Sequence, residues 1–264
     1  MFSRTKLRIV SHYLEKEHSQ EFWDNMFRLS LNKMNYGPGG NLYDSGEINA
    51  IKYLKESFGC NENLVVFDVG ANVGCYTNMV LDLLGNRAIV HAFEPSHQTF
   101  EMLQKNVTSN QVRLNNFGCS DKTHTMSLYS DKSDSGMNSV YNRRLDFLGI
   151  SMKKTEQSKF VRIDEYCQEN QIKHIHLLKL DIEGHELSAL QGASDMISSN
   201  NIDCIQFEFG GCNIDSRTYF QDFYYLLHEK YDIYRILHNG LYKIDNYSTF
   251  LEVFVTVNYL AIHR

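Results

Sequence analysis

Four acidic residues stand where apolar runs end in this 264-residue chain. They are Asp68 in LVVFDV, Glu94 closing AIVHAFE, Asp181 closing HIHLLKLD, and Glu208 in CIQFEFG. One acid in such a place caps a helix or faces solvent. Four on one rim repel each other unless something cationic lies among them. The residues after Asp68 say what ligand would be tolerated there. Positions 66–74 read VFDVGANVG, an apolar strand running into a turn with Gly70 and Gly74 that opens a helix. A pyrophosphate loop is G-x-G-x-x-G, whose middle glycine lets the backbone approach the phosphates. Here Ala71 and Asn72 fill the interior, and a carboxylate precedes the first glycine by two residues. That acid repels pyrophosphate but suits an ammonium and a sulfonium. The loop therefore favours S-adenosylmethionine over a dinucleotide. Glu94 follows Gly70 by 24 residues, about the distance at which an acid reaches ribose hydroxyls across a βαβ unit.

The elements that must position these residues alternate strand and helix from Leu64 onward. LVVFDV (64–69), AIVHAFE (88–94), QVRLNNFG (111–118), HIHLLKLD (174–181) and CIQFEFG (204–210) read as strands. Between and after them, helical spacing aligns Tyr76, Met79, Val80 and Leu83; Phe100, Leu103 and Val107; and Phe220, Phe223, Tyr224 and Leu227. This order predicts an α/β domain with a mostly parallel sheet and helices on both faces. The end differs: YDIYRILHN (231–239), an Asn239-Gly240 turn, LYKI (241–244) and FVTVNYLAIH (254–263) predict an antiparallel close. The polar insert between Asp121 and Ser158 is expected to form a hairpin and loop over a sheet edge or the mouth of the site. Residues 1–44 read as an N-terminal helical extension, with Phe22, Met26 and Leu29 at helical spacing and Gly37-Pro38-Gly39-Gly40 as its stop. A further helix carries Ile51, Leu54 and Phe58, with Gly59 at its end. The remaining domain is 45–264.

Apolar residues at 42% and charged residues at 22% fit a globular protein, and a net charge of −6 argues against broad nucleic-acid binding. No apolar run approaches the roughly 18 residues of a membrane span, and the start lacks a secretory signal. The six scattered cysteines form no C-x-x-C pair, so reduced thiols and a cytoplasmic location are expected. Oligomeric state is not legible.

The loop at Asp68–Gly74, Phe93-Glu94-Pro95, the Lys-x-Asp-x-Glu-Gly-x-Glu segment at Lys179–Glu186 and Phe207-Glu208 occur in one order. In this the chain resembles the FkbM family of S-adenosylmethionine-dependent methyltransferases, from roughly Gly46 to Gly211. The resemblance implies a class I methyltransferase fold, Rossmann-like with seven strands, and O-methylation of a hydroxyl on a sugar, glycan or related metabolite. It implies that Asp68, Gly70, Asn72 and Gly74 shape the methionine end of the cofactor site and that Glu94 holds the ribose. It also places Ser120 and Asp121 near adenine and gives Glu47 a cofactor role.

A sugar hydroxyl is a poor nucleophile, so a base or a metal is expected beside it. Asp181, at the strand end facing the cofactor and expected to bind it, is also the preferred group here, orienting the hydroxyl or accepting its proton. His185 is a second candidate base, because imidazole titrates near neutrality, and Glu208 is a third catalytic candidate. Asp181 and Glu208 together are a candidate pair for a divalent cation such as Mg²⁺, which would relieve their repulsion. Two other classes stay open. One is an inactive cofactor-binding or scaffold protein of the same fold. The other is a nicotinamide-dependent oxidoreductase, which would want a glycine at Asn72.

Overall fold

The fold is described from a computed structural model, over residues 18–37, 45–60, 62–131 and 136–264. Pro38, Gly39 and Gly40, the first 17 positions and the centre of the polar insert at 132–135 lie outside the described residues. So does the boundary placed at residue 44.

Five parallel strands build the scaffold. β1 (Leu64–Val69), β2 (Ala88–Phe93), β3 (Val112–Asn115), β7 (Ile175–Leu180) and β8 (Ile202–Phe209) alternate with helices, as the sequence pattern predicts. β9 (Tyr231–Leu237), β10 (Gly240–Ile244) and β11 (Val257–His263) close the sheet in antiparallel fashion. The order is β10-β9-β11-β8-β7-β1-β2-β3. It contains eight strands rather than seven, because the short segment after Asn239-Gly240 pairs with β9 along its whole length and adds an edge.

β1 is flanked by β2 on one side and β7 on the other, so the chain leaves it in both directions. Such a reversal opens a crevice at the carboxyl ends of the strands, where this architecture binds ligands. Successive β1 residues serve opposite layers. Leu64 and Val66 pack with α2 (Ile48–Ser57) and α3 (Cys75–Leu84), while Phe67 and Val69 join the larger core on the other face. α4 (His97–Asn106) follows β2 and buries Leu103, with Val107 just beyond it. α5 (Ile163–Glu169) precedes β7. It presents Asp164, whose carboxylate accepts the main-chain N–H groups of Asp195 and Met196 at 3.0 and 3.1 Å. That satisfies the first turn of α7 (Ser194–Ser198), which follows α6 (Glu186–Gln191).

The polar insert forms the expected hairpin, β5 (His124–Ser130) with β6 (Lys154–Val161), and β4 (Gly118–Cys119), just before it, completes a second, three-stranded sheet. Its connecting segment returns over the crevice, where Ser139 Oγ donates to the Glu183 carbonyl at 2.8 Å. The insert thus covers the mouth of the site.

The N-terminal helix α1 (Gln20–Lys33) is present, but its expected face is not what it buries. Phe22 and Met26 are half-buried and Leu29 is exposed; Leu31 and the following Tyr36 enter the core instead. The one buried residue of this helix, Leu31, lies in its last turn and packs into the larger core. All six cysteines are free. Among the described residues no helix is long and apolar enough to cross a membrane.

Candidate active site

Register creates the first feature of the site. Asp68 on β1 lies directly beside Lys179 on β7, and Lys179 beside Gln206 on β8, all on one face. Lys179 is 3% exposed, and its ammonium lies 3.1 Å from Asp68 and 3.6 Å from Asp181. It also donates to the Gly70 carbonyl at 3.3 Å and faces the Tyr76 ring. Burial alone would lower this ammonium, but Asp68, Asp181 and Glu47 outweigh it and hold it above its ordinary value. Lys179 is therefore the cation that lets the acids converge. Sequence reasoning missed its role, though a lysine inside LLKLD was a signal: lysine is almost never buried without a partner.

The same buried row accounts for two predicted residues. Asp68 is fully buried, accepts from Thr77 Oγ1 at 2.6 Å, and does not line the crevice. Glu47 accepts from Ser45 Oγ and Gln206 Nε2, both at 3.0 Å, while Tyr76 donates to Gln206. Burial, then the Asp181 charge, pushes the Glu47 carboxyl up to about 7. Both acids stand beneath the crevice floor.

The crevice itself brings together Gly70, Asn72, Glu94, Asp181 and His185. Its remaining walls include Gly118, Leu128, Asn138, Val140 and Phe160 from the second sheet and the insert, residues that no motif marked. Glu94 ends β2 and is buried; its two oxygens accept from the main-chain N–H groups of Asn72 (3.0 Å) and Ser96 (2.9 Å). Burial pushes its carboxyl up to about 7, against those hydrogen bonds, which lower it.

Packing alone already requires glycine at positions 70 and 74. Both have positive φ, and a Cβ on Gly70 would sit 1.9 Å from the Asp181 carbonyl oxygen. A Cβ on Gly74 would sit 2.4 Å from a Val107 methyl, where α3 crosses the end of α4. Gly74 does not line the crevice.

His185 is buried, and both ring nitrogens are engaged. Ser120 Oγ donates to Asp121 at 2.9 Å, so it accepts from His185 Nε2–H at 2.9 Å. That leaves Nδ1 to accept from the Tyr141 hydroxyl at 3.1 Å. Burial lowers the imidazole to about 4, with Asp121 opposing, so the ring is neutral near pH 7. Ser120 and the exposed Asp121 stand behind the crevice wall and do not line it.

Glu208 is also outside the crevice. Among the described residues it groups with Glu183 and Cys212, their ligand atoms within 4.8 Å of one another, and Asp181 is not in that group. Burial, then Asp181, Glu183 and Glu186, push the Glu208 carboxyl well above its ordinary range. Arg143 already pairs with Glu183. A thiol and two acids that resist ionisation, one of them bound by a guanidinium, do not fit Mg²⁺, which demands octahedral oxygen ligation. Asp181, the other member of the expected cation pair, has its carboxylate 3.6 Å from the Lys179 ammonium and raises the Glu208 carboxyl by its charge.

S-adenosylmethionine fits the residues present. Asn72 Oδ1 is buried beside Glu94 without a hydrogen-bond partner among the described residues, and Asn72 itself holds a left-handed φ of 50°. An orphaned acceptor next to a carboxylate wants a ligand rich in N–H and O–H donors. Hydroxyl donors favour the ionised form of Glu94. S-adenosylhomocysteine affinity is therefore expected to rise about tenfold between about pH 6 and about pH 8. Calorimetry across that range checks it; Glu94→Gln should flatten the profile, and a flat profile in the unaltered protein would contradict the role of Glu94.

A parallel sheet reversing at β1, a loop with Asn72, an acid at the end of β2 and an acid at the end of β7 define the α/β methyltransferase class of fold. Comparison with known families gives the particular one. Residues 68–242 match the model of the methyltransferase FkbM domain, and the chain belongs to that family. It is 26% identical over 167 residues to the hexuronic acid methyltransferase AglP of Haloferax volcanii, spanning 62% of this chain and 64% of that protein. It is 28% identical over 169 residues to the 31-O-demethyl-FK506 methyltransferase FkbM of Streptomyces tacrolimicus, spanning 54% and 64%. The matches thus reach just under two thirds of each relative's length. A solved structure of a methyltransferase FkbM from Methylobacillus flagellatus superposes with a TM-score of 0.47 at 19% identity, over 77% of this chain and 44% of that one.

Proposed function

We propose that this protein transfers a methyl group from S-adenosylmethionine to a hydroxyl of a sugar, glycan or related metabolite. The observation that carries this reading is Asp181, a carboxylate at the tip of β7 that lines the crevice and remains 37% exposed while Lys179 holds it from behind. When bound, S-adenosylmethionine supplies a methyl group already activated by the positive charge on sulfur.

The residues of the chain then have three tasks. Asn72 offers its Oδ1 to the methionine end, and Glu94 offers its carboxylate to the nucleoside end. The insert, fastened by Ser139 to the Glu183 carbonyl, keeps water from that end. Asp181 accepts the hydrogen bond of the acceptor hydroxyl, sets its direction, and takes its proton as the new C–O bond forms. Correct placement of the hydroxyl is worth several kcal/mol, of a ceiling near ~7–11, and the base about 10²–10⁴ in rate.

We assign the base to Asp181 rather than to the other two candidates. His185 has no free ring nitrogen and acts by holding Tyr141 and Ser120 in place. Glu208 resists ionisation and lies outside the crevice. The relative that modifies a hexuronic acid supports a sugar-type acceptor. The test is a screen of candidate hydroxyl acceptors with methyl-labelled S-adenosylmethionine: label in an ether product is expected, and label recovered only on nitrogen or sulfur would overturn the reading.

A further inference from the structure

A larger cavity, about 730 Å³, adjoins the crevice and has no part in the cofactor reading. Two side-chain pairs divide the spaces. Arg143 lines the larger cavity and bonds Glu183, which lines the crevice. Tyr141 lines the larger cavity and donates to His185, again on the crevice side. A molecule in the larger cavity therefore lies one side chain away from the strand tips, where an acceptor must approach.

The cavity wall carries unbalanced charge. Arg143 is matched by Glu183 and by Asp215 at 3.7 Å. Arg144 and Arg217 are exposed on the same wall, and among the described residues neither guanidinium has a hydrogen-bond or ion-pair partner. Arg144 reaches Asp215 only through its main-chain N–H, at 3.4 Å. Arg217 holds a left-handed φ of 61° after α8 (Cys212–Ser216), where a glycine would be less strained. In a chain of net charge −6, two unmatched guanidinium groups on one concave wall form a local positive field. Their forked N–H groups match carboxylate and phosphate oxygens. Beside them, Phe147 and Leu148 are 80% and 59% exposed and offer an apolar shelf.

We propose that this cavity receives the acceptor, and that Arg144 and Arg217 select one bearing an anionic group, a carboxylate or a phosphate, next to an apolar moiety. The inference rests on the methyl-transfer reading and narrows its substrate class. The charged group docks on the two arginines, the apolar part lies on Phe147 and Leu148, and the hydroxyl extends past Tyr141 toward Asp181.

Calorimetry on the protein loaded with S-adenosylhomocysteine tests it with three probes: a hexyl hexuronide, a hexyl hexoside 6-phosphate and the neutral hexyl hexoside. At low salt at least one charged glycoside should bind about tenfold tighter than the neutral one, and which of them does identifies the anion. In the Arg144→Ala/Arg217→Ala variant that preference should vanish while S-adenosylhomocysteine affinity, which also reports folding, is unchanged. No binding by either charged glycoside, equal binding of all three, or a preference that survives in the variant would each overturn the proposal. Failure of S-adenosylhomocysteine itself to bind would remove the methyl-transfer reading, and the proposal with it.

Discussion

Replacing Lys179 with alanine is expected to destabilise the protein by about 3–5 kcal/mol, read as a lowered urea midpoint at unchanged slope. The reason is burial without compensation. Lys179 is 3% exposed, and its ammonium is the shared partner of Asp68 and Asp181. Its removal leaves Asp68, which is fully buried, with only the Thr77 hydroxyl as a side-chain donor among the described residues. It also leaves the Gly70 carbonyl without its side-chain donor, so the glycine loop loses an anchor. Lys179→Met combined with Asp68→Leu should cost less than Lys179→Ala alone, because an apolar pair avoids the stranded charge. A loss under about 1 kcal/mol for Lys179→Ala would mean that the pair behaves like a surface salt bridge.

Asp181→Ala is expected to lower turnover by about 10²–10⁴-fold with any acceptor that the labelled-methyl screen identifies. S-adenosylhomocysteine affinity should move by less than about tenfold, since Glu94 and Asn72 remain. The fold should survive, because Asp181 is 37% exposed and Lys179 keeps Asp68. Asp181→Asn separates the two duties assigned to this residue. It retains a group that can orient the hydroxyl but cannot take its proton, so kcat should fall while KM changes little. Full activity in Asp181→Ala would remove Asp181 from the chemistry.

The fold was legible because its central strands are buried on both faces and therefore read as near-continuous apolar runs. β1, β2, β7 and β8 each end beside the acid that the sequence places there. The antiparallel close was readable from Asn239-Gly240, a turn whose twist suits adjacent strands. What escaped was set by partners far away in sequence. Lys179 acquires its meaning only when β1 and β7 lie side by side. Arg143 acquires its meaning only when the insert folds back onto Glu183. The walls at Leu128 and Phe160 come from the hairpin expected in the insert, whereas Gly118 belongs to β4, which the sequence pattern runs together with β3. The N-terminal helix shows the opposite failure: Phe22, Met26 and Leu29 are well spaced, yet within the helix Leu31 is the residue that is buried.

The candidate site divides in the same way. Gly70, Asn72, Glu94, Asp181 and His185 meet at the crevice because each belongs to a strand end or to the turn beyond it. Asp68 and Glu47 carry equally acidic signals but point into the layer below. A one-residue change of face decides between the two outcomes, and alternation along a fully buried strand does not reveal which face holds the ligand.

The central claim is that the crevice between Asn72, Glu94 and Asp181 holds S-adenosylmethionine. Titration calorimetry with S-adenosylhomocysteine and with NAD, on the unaltered protein and on Glu94→Gln, tests it most directly. The account predicts one site for S-adenosylhomocysteine, weakened about tenfold or more by Glu94→Gln, and no heat with NAD. Binding of NAD without S-adenosylhomocysteine, or S-adenosylhomocysteine binding indifferent to Glu94, would contradict it.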